Sequence, residues 1–217
     1  MEIKELQLFT TSIENTTHYY QTILGLMVER IGNAEISVAV GSTMLRFAAV
    51  TDNTNPVYHF VFNIPCNQIE DARKWCAERQ IELIPYEQDT LVNFPNWNAH
   101  SIYFTDNNGN ILEFISRHDL NNNSNKAFGP QSILNISEIG LVTADVTTLC
   151  NNINTASGLS YYEKQPPSPG FSVMGNATGL LIVVPVNRNW FPTTIASALY
   201  PLQVVYTHAG KTHTLAM

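Results

Sequence analysis

An internal repeat constrains the fold of this chain more than any other feature of its sequence. Glu5-Leu6-Gln7-Leu8-Phe9-Thr10-Thr11-Ser12-Ile13 aligns without a gap on Glu138-Ile139-Gly140-Leu141-Val142-Thr143-Ala144-Asp145-Val146. Each copy alternates apolar with other residues at period two, as a half-buried strand does, and then presents Ser12 or Asp145, whose side-chain oxygen can cap a helix. Gly25 and Gly158 supply the left-handed residue that ends each helix. Both copies continue through short strands (27–30 and 160–164), strands opening at Ile36 and Phe171, and strands at 44–50 and 180–186. Between them a less similar unit keeps the same order: strand 58–63, a helix from about Asn67, and strands 81–86, 101–104 and 111–116. Asn67 with Glu70 reads as a capping box, and Asp106-Asn107-Asn108-Gly109 as a hairpin turn. Each unit is β-α-β-β-β, and a last strand over 202–207 stands where a fourth would begin. The chain is therefore α+β and modular.

Composition narrows the function. A 217-residue chain that is 44% hydrophobic and 13% charged can bury a sizeable core, which excludes disorder over most of its length. Eleven basic against eighteen acidic residues, with no dense Lys/Arg cluster, exclude a nucleic-acid interface. The opening Met1-Glu2-Ile3-Lys4-Glu5 has no basic flank leading into an apolar stretch, and no run approaches the ~18 apolar residues of a membrane span; a cytoplasmic protein without a membrane partner is expected. Cys66, Cys76 and Cys150 lack C-x-x-C spacing, so neither a disulfide framework nor a thiolate zinc site is expected. Asn121-Asn122-Asn123-Ser124-Asn125 reads as a flexible linker, and Pro166-Pro167-Ser168-Pro169 as a rigid loop.

Two segments carry a family resemblance. Tyr19-Tyr20-Gln21-Thr22-Ile23-Leu24-Gly25-Leu26 resembles the F-Y-x-x-x-L-G-L signature of the vicinal oxygen chelate superfamily, which includes glyoxalases, extradiol ring-cleaving dioxygenases, epimerases and proteins that modify or sequester antibiotics. Tyr103-Phe104-Thr105-Asp106-Asn107-Asn108-Gly109-Asn110-Ile111-Leu112-Glu113-Phe114 is similar to its Y-F-x-D-P-D-G-N-x-x-E-x segment, with Asn107 in place of the usual proline. The resemblance implies that paired βαβββ modules form a curved, open-barrel cup with helices outside. Residues 1–118 would be one glyoxalase-like domain carrying the site, 119–131 a linker, and 132–217 a partial second domain with a structural role, sheltering the cup or making the subunit interface of a homodimer.

Carried over position by position, the resemblance selects Glu5, His59 and Glu113 as metal ligands. Strand parity agrees in direction: Leu6, Leu8, Phe60, Phe62, Leu112 and Phe114 would pack the helices, leaving Glu5, His59 and Glu113 in the cup with Gln7, Phe9 and Asn63. A histidine with two carboxylates favours a hard divalent ion, Mn²⁺, Fe²⁺, Zn²⁺ or Mg²⁺. The glyoxalases' fourth ligand is replaced by Arg46, a cation that either binds an anionic substrate group or pairs with Glu5 and empties the metal site. Tyr103 faces the cup as an acid or hydrogen-bond donor, whereas His100 has the opposite parity. In the third unit Glu138 stands at the Glu5 position, but Ile182 and Leu202-Gln203 replace the other ligands, so that unit assembles no triad of its own. Arg188 and Trp190 are candidates to reach a ligand, with loop anchoring the commoner role for such a Trp.

The expectation is a metal-dependent enzyme, a lyase, isomerase or ring-cleaving oxygenase, that chelates a small substrate through adjacent oxygens. The alternative is a metal-free cup that captures an aromatic or antibiotic-like ligand.

Overall fold

The alternating opening segment forms β1 (Glu2–Thr10), in which Ile3, Leu6 and Leu8 are buried on one face while Glu5 and Gln7 stay partly exposed on the other. All 217 residues are described by the computed structural model. Ser12 then caps α1 (Ile13–His18) by accepting from the Asn15 amide at 3.2 Å, and the helix runs into a wider turn, Tyr19–Ile23, before Gly25 leaves it at positive φ. β2 (Met27–Ile31), β3 (Glu35–Val40) and β4 (Thr43–Ala49) complete the first unit. The second comprises β5 (His59–Ile64), α2 (Ile69–Glu78), β6 (Leu83–Ile84), β7 (Val92–Phe94), β8 (Ala99–Thr105) and β9 (Ile111–Arg117). The third has β10 (Asn135–Thr143), α3 (Val146–Ser157) capped by Asp145, β11 (Ser172–Asn176) and β12 (Gly179–Pro185). A terminal hairpin, β13 (Gln203–His208) and β14 (Lys211–Ala216), ends the chain.

The pairing of these units departs from the expected one. Units one and two do not share a sheet. One sheet runs β14-β13-β1-β4-β3-β2, and the other runs β11-β12-β10-β5-β9-β8-β6 with β7 beside β8. In every unit the first strand lies parallel to the last, which leaves its other edge unpaired. The edge of β5 is taken by β10, antiparallel, with Ile136 opposite Phe62. The edge of β1 is taken by β13. Unit three thus supplies three of the eight strands of the large sheet, a larger role than shelter, and the hairpin stands in for a fourth unit.

One continuous core, including Leu6, Leu8, Phe60, Phe62, Phe114, Ile139 and Leu141 with Trp75 of α2 and Ile153 of α3, fills the helix side of both sheets, as strand parity requires. A second apolar cluster, with Tyr103, Val142, Ile182 and Trp190, lies on the concave face of the large sheet.

Three local expectations are corrected. Asn67 does not cap α2; its side chain bonds Ser124 in both directions, and Asn122 accepts from the Cys66 amide, so the asparagine-rich linker is pinned to the segment before α2. Residues 160–164 make a single bridge, Tyr161 to Met174, in place of a strand, and the strand expected over 81–86 shrinks to β6. The cysteines are free and buried, and no helix is long and apolar enough to cross a membrane.

Candidate functional site

Parity on the large sheet sends His59 from β5, Glu113 from β9 and Glu138 from β10 to the concave face, where each is at least nine-tenths buried. His59 Nδ1 lies 3.1 Å from the Ile111 carbonyl. A carbonyl only accepts, so Nδ1 carries the proton and Nε2 presents a lone pair, 3.8 Å from Glu113 Oε2. Burial pulls the His59 pKa down to about 4, helped by the charge of Arg188, and the ring is neutral. Burial and the charge of Glu138 push Glu113 up to about 8, against the pull of the Ser101 and Tyr103 hydroxyls. Burial thus favours the protonated carboxyl on Glu113 and the unprotonated imidazole on His59, a proton donor and a proton acceptor side by side.

Glu138 is ion-paired with the guanidinium of Arg117, which is 1% exposed and also donates to Asn63 Oδ1 at 2.7 Å and Ser137 Oγ at 3.2 Å. Above this floor lies a cavity of about 220 Å³. Tyr103 stacks near His59 at 6.4 Å, and burial beside Glu113 holds its phenol protonated. Trp190 also packs against His59, at 5.3 Å between ring centres. Phe94, Trp97, Phe171 and Phe191 complete the aromatic wall, with Arg188 at its rim.

The expected metal triad does not assemble. Glu5 lies in the other sheet, where Arg46 Nε approaches its carboxylate at 3.2 Å and Arg46 Nη1 reaches Glu35 at 3.0 Å. The alternative weighed for Arg46, pairing with Glu5, is the one observed, and it removes Arg46 as well as Glu5 from the cavity. Gln7 and Phe9 share that displaced face, since neither lines the cavity. The reason is the exchange of strand partners: with β10 beside β5, the third unit's Glu138 takes the place that β1 would have given Glu5. Glu138 is committed to Arg117, and no group of three His, Cys, Asp or Glu side chains is arranged to hold a metal ion. Of the three expected ligands, His59 and Glu113 alone come together.

His100 stays outside the site, its Nδ1 2.8 Å from His118 Nε2. Asn63 enters it only as a partner of Arg117. Sequence reasoning noted Glu138 only as the third unit's counterpart of Glu5 and did not place it in this cup, and it missed Arg117 altogether. Two signals pointed to them: Glu113, Ile115 and Arg117 share one face of a strand, and Gly140 interrupts a strand two residues after Glu138 on the same face. A Cβ at Gly140 would sit 2.4 Å from Cη2 of Trp190, so the glycine makes room for that indole over the cup floor.

No family model and no curated protein matches the sequence. Among solved structures, a putative dioxygenase from Bacillus subtilis superposes with a TM-score of 0.64 at 11% identity over 100% of this chain and 84% of that one. A lactoylglutathione lyase from Agrobacterium tumefaciens matches 52% of this chain and 90% of its own, at 19% identity and a TM-score of 0.43. A fosfomycin resistance protein from Listeria monocytogenes matches 52% of this chain and 89% of its own, at 15% identity and a TM-score of 0.42. With its βαβββ units paired through their first strands, the chain shares the overall fold of that Bacillus subtilis structure from end to end.

Proposed function

We propose that the protein binds a small molecule in the cup of the large sheet and does so without a metal. The observation that carries this reading is the Arg117–Glu138 pair: a buried guanidinium already neutralises the carboxylate that a cation would otherwise need to share with Glu113. The aromatic wall and the cavity volume fit a compact, largely apolar ligand. The Glu113 and His59 pair supports an acid–base step on a bound ligand, with Glu113 giving a proton and His59 Nε2 taking one.

One observation favours a second reading, a metal-dependent enzyme acting on a substrate chelated through adjacent oxygens. The His59 ring is oriented by the Ile111 carbonyl, as ligating histidines usually are, and its free Nε2 faces Glu113. Elemental analysis of protein purified without a metal column separates the two. The metal-free reading expects sub-stoichiometric metal and no rise in Tm with Mn²⁺, Fe²⁺ or Zn²⁺, together with quenching of Trp97 and Trp190 fluorescence by aromatic ligands. Stoichiometric metal that disappears in His59→Ala would establish the second.

A further inference from the structure

We infer that the cup is specific for a flat aromatic monoanion, an aryl carboxylate of about one ring, held through its carboxylate by Arg188. The inference rests on the cup reading and deepens it by naming the ligand class.

The charges around the cavity do not balance evenly. Arg117 and Glu138 neutralise each other in the floor. Arg188 lines the same cavity and has neither an ion-pair nor a hydrogen-bond partner for its guanidinium; burial is the sole influence on its pKa, which it lowers. The group lies 4.7 Å above the centre of the Phe171 ring, so its plane is positioned by an aromatic face and its N–H edge remains available. A carboxylate matches that planar fork with two parallel hydrogen bonds.

The walls specify the rest of the molecule. Phe94 packs against Phe191 at 6.0 Å and against Trp97 at 6.2 Å, giving a lining of ring faces and edges suited to another ring. About 220 Å³ is below the usual range for drug-sized ligands, which limits the occupant to about one substituted ring. With one unpaired cation at the rim and Glu113 and Glu138 inside, a dianion would be under-neutralised.

Calorimetric titration of the purified chain with benzoate and with benzamide, its neutral isostere, tests this directly. Benzoate should bind about tenfold or more tightly than benzamide. In Arg188→Gln the preference should vanish while benzamide affinity is retained. Arg188→Lys, which keeps the charge without the fork, should show an intermediate preference. Equal affinity for the two probes in the wild type, or an unchanged preference in Arg188→Gln, overturns the ligand class and leaves the cup reading standing. Binding of neither probe to the wild type overturns both.

Discussion

Tyr20 donates a 2.9 Å hydrogen bond to Asp106 Oδ2, and both residues are buried. The two segments that carry the family resemblance therefore meet in space. Next to them Tyr19 donates to the Thr105 carbonyl at 2.9 Å, and Asp106 also accepts from the amides of Asn108 and Asn110. Units one and two are joined here, helix end to hairpin, although their strands lie in different sheets. Tyr19, Tyr20 and Asp106 hold the fold and stand apart from the cavity, which Tyr103 and Glu113 of the same segment line.

Tyr20→Phe should lower stability by about 1–3 kcal/mol, because it leaves a buried carboxylate short of one donor. Urea denaturation measures this, and an unchanged midpoint would show that the bond contributes nothing net.

Glu138 and Arg117 should behave as a unit. Arg117→Met or Glu138→Gln alone should cost about 3–5 kcal/mol, since each strands a buried partner. The double variant Arg117→Met/Glu138→Leu should be more stable than either single one. Additive losses would mean that the two side chains do not depend on each other.

Gly140→Ala places a methyl group against the Trp190 ring, and the indole must move. The expected cost is about 1–3 kcal/mol, accompanied by a change in tryptophan emission. A variant with wild-type stability and spectrum would mean that Trp190 does not rest on that strand.

Stability should depend on pH through the cup. Glu113 binds its proton more tightly folded, with a pKa near 8, than unfolded, so its contribution is full below about pH 4.5 and declines as pH rises toward 8. His59, held near 4, acts in the opposite sense between about pH 4 and 6.5, where the unfolded chain binds the extra proton. The two offset one another below pH 6.5. Between 6.5 and 8 only the Glu113 decline remains of the two. Measured as wild type minus Glu113→Gln, stability should fall across that window, and a flat difference would place the Glu113 pKa near its ordinary value.

Arg46→Gln should change stability by less than about 1 kcal/mol, because its pairs with Glu5 and Glu35 are about one-third exposed. Calorimetry should find ligand affinity in the cup unchanged. A large loss of affinity would return Arg46 to the binding site.

The sequence by itself determined the units. Periodicity and capping are local properties, so the alternation of β1 and β10, the caps at Ser12 and Asp145, the helix ends at Gly25 and Gly158 and the inward parity of His59, Glu113 and Tyr103 were all legible from neighbouring residues. The asparagine-rich stretch read as a flexible linker, and its attachment to the segment before α2 was not legible. Which first strand closes against which was decided only in the tertiary structure. β1, β5 and β10 each expose a free edge, and nothing within a strand names its partner; the outcome depends on chain path and on shared burial between sheets. That one choice moved Glu5 and Arg46 out of the cup, brought Glu138 in, and set Arg117 beside it where a metal ion had been expected.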